Sequence, residues 1–152
     1  MCGITAFTGQ TSALPFLLQG LEKLEYRGYD SAGVTLVDSQ GLNTYKVKGR
    51  LSDLKEELKH QEHHQSTGIG HTRWATHGKP SDENSHPHTS ESGRFAIVHN
   101  GIIENYQYLR KFLTDKGVRF TSETDTETVA HLLDYYYKGD ILDAVIEVIR
   151  RV

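Results

Sequence analysis

The stretch CGITAFTG, residues Cys2–Gly9, follows the initial methionine and decides which fold the chain can have. Its residues 4–8 predict a short strand that Gly9 closes. Cys2 is the only cysteine, so removal of Met1 would leave a thiol nucleophile and a free α-amine on one terminal residue. An α-amine titrates at about 7.7–8.0 and can be the base that activates such a nucleophile. The alternative is a small apolar side chain that opens a buried strand.

The composition indicates one polar domain. The chain has 152 residues, enough to bury a core, and 36% of them are hydrophobic. A net charge of −3 gives no basic surface, which argues against a nucleic-acid partner. No apolar run approaches the roughly 20 residues of a membrane span, and the first residues lack the features of a signal peptide. A single cysteine cannot form an internal disulfide, so we expect a cytoplasmic protein. Because no apolar run is long enough to span a membrane, we expect no membrane partner.

The pattern of apolar residues predicts both strands and helices, the α+β class. Strands are expected at Ile4–Thr8, Ala32–Val37, Asn43–Val47, Gly68–Arg73, Arg94–Asn100 and Val118–Thr121. Helices are expected at Leu14–Leu24 with Ser12 as N-cap, and at Leu51–Gln61, Ile103–Lys116, Val129–Tyr136 and Asp140–Arg150. The tight turn between the second and third strands favours antiparallel pairing, and residues 78–87 are expected to form a loop. A capping-box pattern at residues 124–127 precedes the fourth helix.

One polar cluster, HTRWATHG at residues 71–78, ends a predicted strand and enters the loop. Arg73 can grip a carboxylate with two parallel hydrogen bonds. Thr76 and His77 add donors beside it, and Trp74, the only tryptophan, can form an apolar wall. A solvated loop with its tryptophan folded into the core is the alternative, although loops of this length are often functional.

Two shorter clusters carry weaker signals. Arg27 and Gly28 offer a cation and close backbone approach near a turn, but a helix end followed by a turn is the simpler interpretation. Asn100 and Gly101 lie where a predicted strand turns into a helix. An asparagine side chain and the next backbone N–H can point at one oxygen, which outlines an oxyanion hole. An ordinary Asn-Gly turn is the alternative.

The nine histidines raise the question of a metal site. His86 and His88 are separated by a proline, and His63 and His64 are adjacent. Structural zinc usually draws on several thiolates, or on two histidines and two cysteines at regular spacing, and this chain has one cysteine. We therefore expect no metal and interpret these histidines as solvated loop residues.

Taken together, these motifs resemble the class II glutamine amidotransferases, which are N-terminal nucleophile hydrolases. The most specific resemblance is to the amidotransferase domain of glucosamine-6-phosphate synthases. It runs from Cys2 to the end of the chain and is carried by CGI at 2–4, LEYRGYDSAG at 24–33, HTRWATHG at 71–78, HNGIIEN at 99–105 and SETDTE at 122–127. It implies a four-layer αββα sandwich with antiparallel sheets, incomplete at the C-terminus. Residues 1–152 would be the N-terminal portion of the domain, without the family's sugar-phosphate isomerase domains.

The resemblance also implies catalytic roles. Cys2 would be the nucleophile and its freed α-amine the general base. Asn100 and the Gly101 N–H would be the oxyanion donors. Arg27 and Gly28 would lie beside the nucleophile.

Substrate roles follow from the same resemblance. Arg73 would hold the α-carboxylate of L-glutamine, helped by Thr76 and His77, and Asp125 would hold its α-ammonium. His86 would lie in the loop that closes over the substrate. Trp74 would gate the path that ammonia takes.

The implied reaction is hydrolysis of L-glutamine through a cysteine thioester, with no cofactor. In the full-length enzyme, expected to be a homo-oligomer, the ammonia would convert fructose 6-phosphate to glucosamine 6-phosphate. Two alternatives remain: a truncated or unprocessed fragment without activity, and a histidine-based metal-binding module.

Overall fold

Four antiparallel strands form the larger of two sheets in the computed structural model, which describes residues 2–75 and 78–152. They are β1 (Gly3–Thr8), β2 (Ser31–Asp38), β3 (Gly41–Lys48) and β4 (Thr67–Arg73). Their order across the sheet is β1-β4-β2-β3, so β1 and β2 both pair with β4. This order places the start of β1 beside the end of β4.

The hairpin between β2 and β3 forms where the sequence predicts it. Asp38 Oδ1 accepts a hydrogen bond from the Gln40 N–H at 2.8 Å, which closes the turn locally. Gly41 has φ +126°, a conformation that residues with a side chain rarely adopt. The predicted antiparallel pairing is therefore confirmed, with Asp38 opposite Gly41.

Two helices, α1 (Leu14–Leu24) and α2 (Leu51–Leu58), cover one face of the larger sheet. Leucines of α1 fit closely because β4 has glycines on this face: a Cβ on Gly70 would lie 3.0 Å from Leu21 Cδ1. The core between helices and sheet consists of buried aliphatic side chains: Ala13, Leu14, Leu17, Leu21, Ala32, Val34, Leu36, Leu51, Leu54 and Leu58.

The opposite face of the larger sheet carries a second, two-stranded sheet of β5 (His88–Thr89) and β6 (Ala96–Ile97). The segment leading into β5 approaches Gly33 of β2 so closely that a Cβ there would collide with the His86 carbonyl oxygen. Three helices, α3 (Tyr106–Asp115), α4 (Thr126–Tyr136) and α5 (Ile141–Ile149), pack beyond the smaller sheet. The layers are thus α, β, β and α, which confirms the predicted α+β sandwich.

Some local predictions are wrong. Ser12 does not cap α1, because Ala13 is the N-cap and Ser12 Oγ donates to the His63 carbonyl at 2.7 Å. Residues 118–121 are not a strand: the N–H groups of Arg119 and Thr121 donate to carboxylates of Glu91 and Glu127 instead of a neighbouring strand.

Three predicted elements are shorter in the structure. The strand expected at Arg94–Asn100 is paired only at Ala96–Ile97, the helix expected from Ile103 begins at Tyr106, and the helix expected to reach Gln61 ends at Leu58. Among residues 2–75 and 78–152, no helix is long and apolar enough to cross a membrane.

Candidate active site

A cavity of about 400 Å³ opens where the start of β1, the end of β4 and the start of α4 meet. It brings together residues that the sequence predicts as a site but that lie up to 123 positions apart. The predicted residues that line it are Cys2, Arg27, Arg73, Trp74, His86, Asn100, Gly101 and Asp125. Thr76 and His77, also predicted, lie outside the described residues.

Strand register places the cysteine at this cavity. Gly3 of β1 pairs with Thr72 of β4, so the residue before β1 lies beside the residues that end β4. The Trp74 N–H donates a hydrogen bond to Cys2 Sγ at 3.2 Å. Cys2 is half-buried, so its thiol is neither sealed in the core nor fully solvated. This position is accessible to a substrate, unlike the buried cysteine of the alternative interpretation.

Arg73 brings a buried positive charge to the cavity. Its side chain is only 4% exposed, and Nη2 donates to the Gly78 carbonyl at 3.4 Å. Burial lowers the pKa of the guanidinium, while the negative charges that Cys2 and Asp125 can carry oppose this shift. An arginine side chain remains protonated even when it is buried, so the cavity has a fixed cation.

Gly28 allows the chain to pass closely behind the end of β4. A Cβ at this position would lie 2.8 Å from the Arg73 carbonyl carbon and 2.9 Å from the Trp74 nitrogen. Both are backbone atoms and cannot move aside as a flexible side chain can. Glycine is thus required for a packing reason, and Arg27 beside it faces the cavity.

Asn100 joins the cysteine to the neighbouring strand. Its Nδ2 donates to the Cys2 carbonyl at 3.2 Å, and its Oδ1 lies 2.9 Å from His71 Nε2. At Gly101, a Cβ would lie 2.8 Å from His99 Nε2, so a side chain would press on that ring. The pair therefore does more than form a turn, because the asparagine amide is fixed next to Cys2.

Asp125 is the N-cap of α4 and is buried. Its Oδ1 accepts from the Thr126 N–H at 2.9 Å and its Oδ2 from the Ile103 N–H at 2.8 Å. The predicted capping box is only half formed. Thr124 Oγ1 accepts from the Glu127 N–H at 3.4 Å, but the Glu127 carboxylate does not return to the Thr124 N–H.

His86 and His88 are buried, so their interpretation as solvated loop residues is wrong. The ring of His86 stacks on that of His71, with centroids 4.2 Å apart, and His86 Nδ1 accepts from the His99 N–H at 3.4 Å. His88 Nε2 lies 2.8 Å from Thr124 Oγ1. His86 lines the cavity, whereas His88 packs edge-on against the His86 ring, with centroids 4.6 Å apart.

No group of three or more His, Cys, Asp or Glu side chains in the described part of the chain could hold a metal ion. His64, from the other predicted pair, is exposed and lies 3.1 Å from Glu62.

The sequence predicts Glu127 only as part of a capping box, whereas in the structure it organises the loop before α4. Its buried carboxylate accepts from the N–H groups of Thr121 and Ser122, each at 2.7 Å. Burial acts to raise the pKa of this carboxyl, but hydrogen bonds from His131 and Ser122 lower it overall. Because a glutamate close to a helix start is typical of a capping box, the sequence does not reveal that this carboxylate binds the preceding loop.

The buried histidines predict a loss of stability in mild acid. Burial lowers the pKa of His71 to about 4 and that of His88 to about 3, and it lowers the pKa of His86 well below its usual range. In the unfolded chain these groups take up protons below about pH 6.5, whereas in the folded chain they do not, so stability falls as pH decreases.

We expect His71 and His88 each to remove about 2 kcal/mol from the free energy of unfolding between pH 7 and pH 5, and His86 to act in the same direction. Urea unfolding at several pH values measures this loss. Replacing the exposed His64 by glutamine is the control and should leave the slope unchanged. A free energy of unfolding that is constant over this pH range would contradict the prediction.

Comparison with known proteins agrees with this geometry. A family model described as glutamine amidotransferase domain matches residues 46–145. A glutamine–fructose-6-phosphate aminotransferase [isomerizing] of Clostridium tetani is 58% identical over the whole chain, and one of Aquifex aeolicus is 55% identical over 99% of it. The chain spans about a quarter of the length of these relatives, 25% and 26% respectively.

Two solved structures share the fold. Glutamine phosphoribosylpyrophosphate amidotransferase of B. subtilis, in complex with ADP and GMP, superposes with a TM-score of 0.83 at 27% identity. An allosteric regulatory enzyme of purine biosynthesis gives a TM-score of 0.85 at 28% identity. Each alignment covers 98% of this chain and about a third of the other, 32% and 33%. With the family match over most of its length, the chain belongs to the glutamine amidotransferase domain family.

Proposed function

We propose that this chain hydrolyses L-glutamine to glutamate and ammonia, with Cys2 as the nucleophile once Met1 has been removed. The observation that carries the proposal is that a half-buried thiol, a buried arginine, a buried aspartate and a fixed asparagine amide all line one cavity. Family membership supports glutamine as the amide that is cleaved.

The charges at the cavity suit the two ends of a free amino acid. Arg73 would bind the α-carboxylate, for which a guanidinium fork is well shaped. Asp125 would bind the α-ammonium, because its two backbone hydrogen bonds leave lone pairs available on both oxygens. Thr76 and His77 would assist Arg73. These contacts would select glutamine over amides that lack an α-carboxylate and an α-ammonium group.

Two aromatic groups would complete the substrate site. Trp74 is 45% exposed and packs edge-on against Tyr29 with 5.6 Å between centroids, so its indole can serve as the gate for ammonia. His86 would form part of the wall over the substrate.

The reaction needs only groups of the chain, glutamine and water. The α-amine of Cys2 takes the thiol proton, and the sulfur attacks the side-chain amide carbon to form a tetrahedral oxyanion. Collapse breaks the C–N bond, the ammonium returns the proton to the leaving nitrogen, and ammonia departs from a glutamyl thioester. Water, deprotonated by the same amine, then attacks the thioester carbon to form a second oxyanion. Its collapse breaks the C–S bond and releases glutamate, and the protonated amine returns its proton to the Cys2 thiolate.

Asn100 and Gly101 would stabilise both oxyanions. The asparagine amide has two N–H groups, and its hydrogen bond to the Cys2 carbonyl occupies one of them, which leaves the other for substrate. The Gly101 N–H would be the second donor. Donors fixed in advance at the position of developing charge are a large source of rate enhancement.

We further propose that residues 1–152 form the N-terminal portion of a longer cytoplasmic enzyme. The curated relatives are named glutamine–fructose-6-phosphate aminotransferase [isomerizing] and are about four times as long, which supports this view. In that enzyme, the ammonia that Cys2 releases from glutamine would be used to convert fructose 6-phosphate to glucosamine 6-phosphate.

The test is release of glutamate from L-glutamine by the protein that carries this chain, with an amino terminus at Cys2 verified by intact mass. We expect turnover with L-glutamine and none with an analogue that lacks the α-amino group. Absence of glutamate release by protein of verified terminus would overturn the proposal and favour an inactive fragment.

A further inference from the structure

His71 is a deeply buried polar residue beside Asn100 of the cavity, and the proposed reaction has no use for it. Its exposed fraction is 1%, and it lies on β4 two positions before Arg73. Side chains two positions apart on a strand point to the same face, so His71 and Arg73 both face the smaller sheet. A buried imidazole at this position requires a partner.

The packing around His71 fixes the position of its ring. Gly33 of β2 pairs with His71 and has no side chain, which leaves room for the segment that carries His86. The His86 ring then stacks on the His71 ring, at 17° between planes. With one face covered by a ring and its backbone in the centre of a sheet, His71 cannot rotate freely. Its Nε2 is directed at Asn100 Oδ1, 2.9 Å away.

The orientation of the Asn100 amide follows from its two partners. The Cys2 carbonyl can only accept, so the amide nitrogen faces Cys2 and the amide oxygen faces His71. That oxygen is also an acceptor, so His71 must donate through Nε2–H. Burial lowers the pKa of His71 to about 4, which keeps the ring neutral with a single N–H at physiological pH.

Resting on the proposed glutaminase function, we infer that His71 is a positioning residue that holds the Asn100 amide with its second N–H, the one not bonded to the Cys2 carbonyl, towards the oxyanion. Without the Nε2–H donor, the hydrogen bond to the Cys2 carbonyl alone holds the amide, and an orientation rotated by half a turn becomes accessible. Its oxygen would then face the developing negative charge, and a donor would be replaced by a repulsive acceptor. His71 acts only through Asn100 and does not touch the substrate.

Two substitutions separate hydrogen bonding from packing. His71→Phe keeps a ring that can stack on His86 but removes the donor, whereas His71→Gln keeps an N–H near the position of Nε2. We expect His71→Phe to lower kcat for glutamine about 10- to 100-fold while KM changes by less than about 3-fold. His71→Gln should recover most of kcat. Should the phenylalanine variant fail to fold, His71→Met, which also lacks a donor, takes its place.

A transition-state mimic gives a second readout. An aldehyde analogue of glutamine forms a tetrahedral adduct with Cys2 and needs the oxyanion donors, whereas the product glutamate does not. His71→Phe should weaken binding of the aldehyde by about the factor lost in kcat and leave glutamate binding unchanged. Equal weakening of both ligands would indicate a merely structural role and overturn the inference.

The double variant tests whether the two residues act as a unit. In an Asn100→Ala background, His71→Phe should lower kcat by a further factor of less than about 3. The inference would be overturned if His71→Phe lowered kcat as much in the Asn100→Ala background as it does alone. It would also be overturned if His71→Phe alone kept the kcat of the parent protein. Both outcomes require an active parent protein, so they differ from failure of the proposed function, in which the parent itself releases no glutamate.

Discussion

Cys2→Ala is expected to abolish glutamine hydrolysis, with a fall in kcat of about 10⁴- to 10⁶-fold. The substitution removes the only sulfur of the site and leaves no atom that can form the thioester. The remaining donors can still bind glutamine, so its affinity should change little. Glutamate release under saturating glutamine measures kcat, and equilibrium binding of glutamine to the inactive variant measures affinity.

Cys2→Ser is the matched control for this prediction. It keeps the size of the side chain and a hydroxyl that can interact with the Trp74 backbone, but a hydroxyl is a weaker nucleophile at its ordinary pKa. We expect activity far below that of the parent protein and an unchanged fold. Retention of a substantial part of the parent kcat by Cys2→Ala would show that another residue attacks the amide.

Asn100→Ala is expected to lower kcat about 100- to 1,000-fold. The side chain supplies one of the two proposed oxyanion donors, and both tetrahedral intermediates need it. KM should change much less, because the ground-state amide carbonyl carries little charge. Steady-state kinetics with glutamine give both values.

The stability of Asn100→Ala provides the control. The substitution removes hydrogen bonds to Cys2 and His71, and each costs about 1 kcal/mol in the free energy of unfolding. Circular dichroism and urea unfolding should therefore show a folded protein. A folded Asn100→Ala variant with near-parental kcat would remove Asn100 from the proposed mechanism.

Local patterns in the sequence predicted the elements that form through local interactions. The β2–β3 hairpin is one example, since its turn is closed by Asp38 and by Gly41 within the same few residues. The predicted strand at residues 118–121 is wrong for the opposite reason. Its N–H groups are satisfied by Glu91, 28 positions from Arg119, and by Glu127 in a helix. A short apolar run cannot reveal such partners.

In the site, too, the residues themselves could be predicted, but contacts between residues distant in sequence could not. The motifs indicated Cys2, Arg73 and Asn100, the resemblance added Asp125, and the structure brings these residues to one cavity. Strand register explains part of this convergence, because β1 pairs with β4. The link from His71 to Asn100 could not be predicted, since the two residues are 29 positions apart and meet only when the smaller sheet packs on the larger one.

The central claim is that Cys2 becomes an activated nucleophile for glutamine when it is the terminal residue. A glutamine analogue with a diazoketone in place of the amide alkylates such a thiol, and mass spectrometry of the intact protein and its peptides locates the adduct. We expect one adduct per chain on the peptide that begins with Cys2, prevented by excess L-glutamine and absent when Met1 is retained. Absence of an adduct on protein with a verified Cys2 terminus, or equal labelling of protein that retains Met1, would contradict the account.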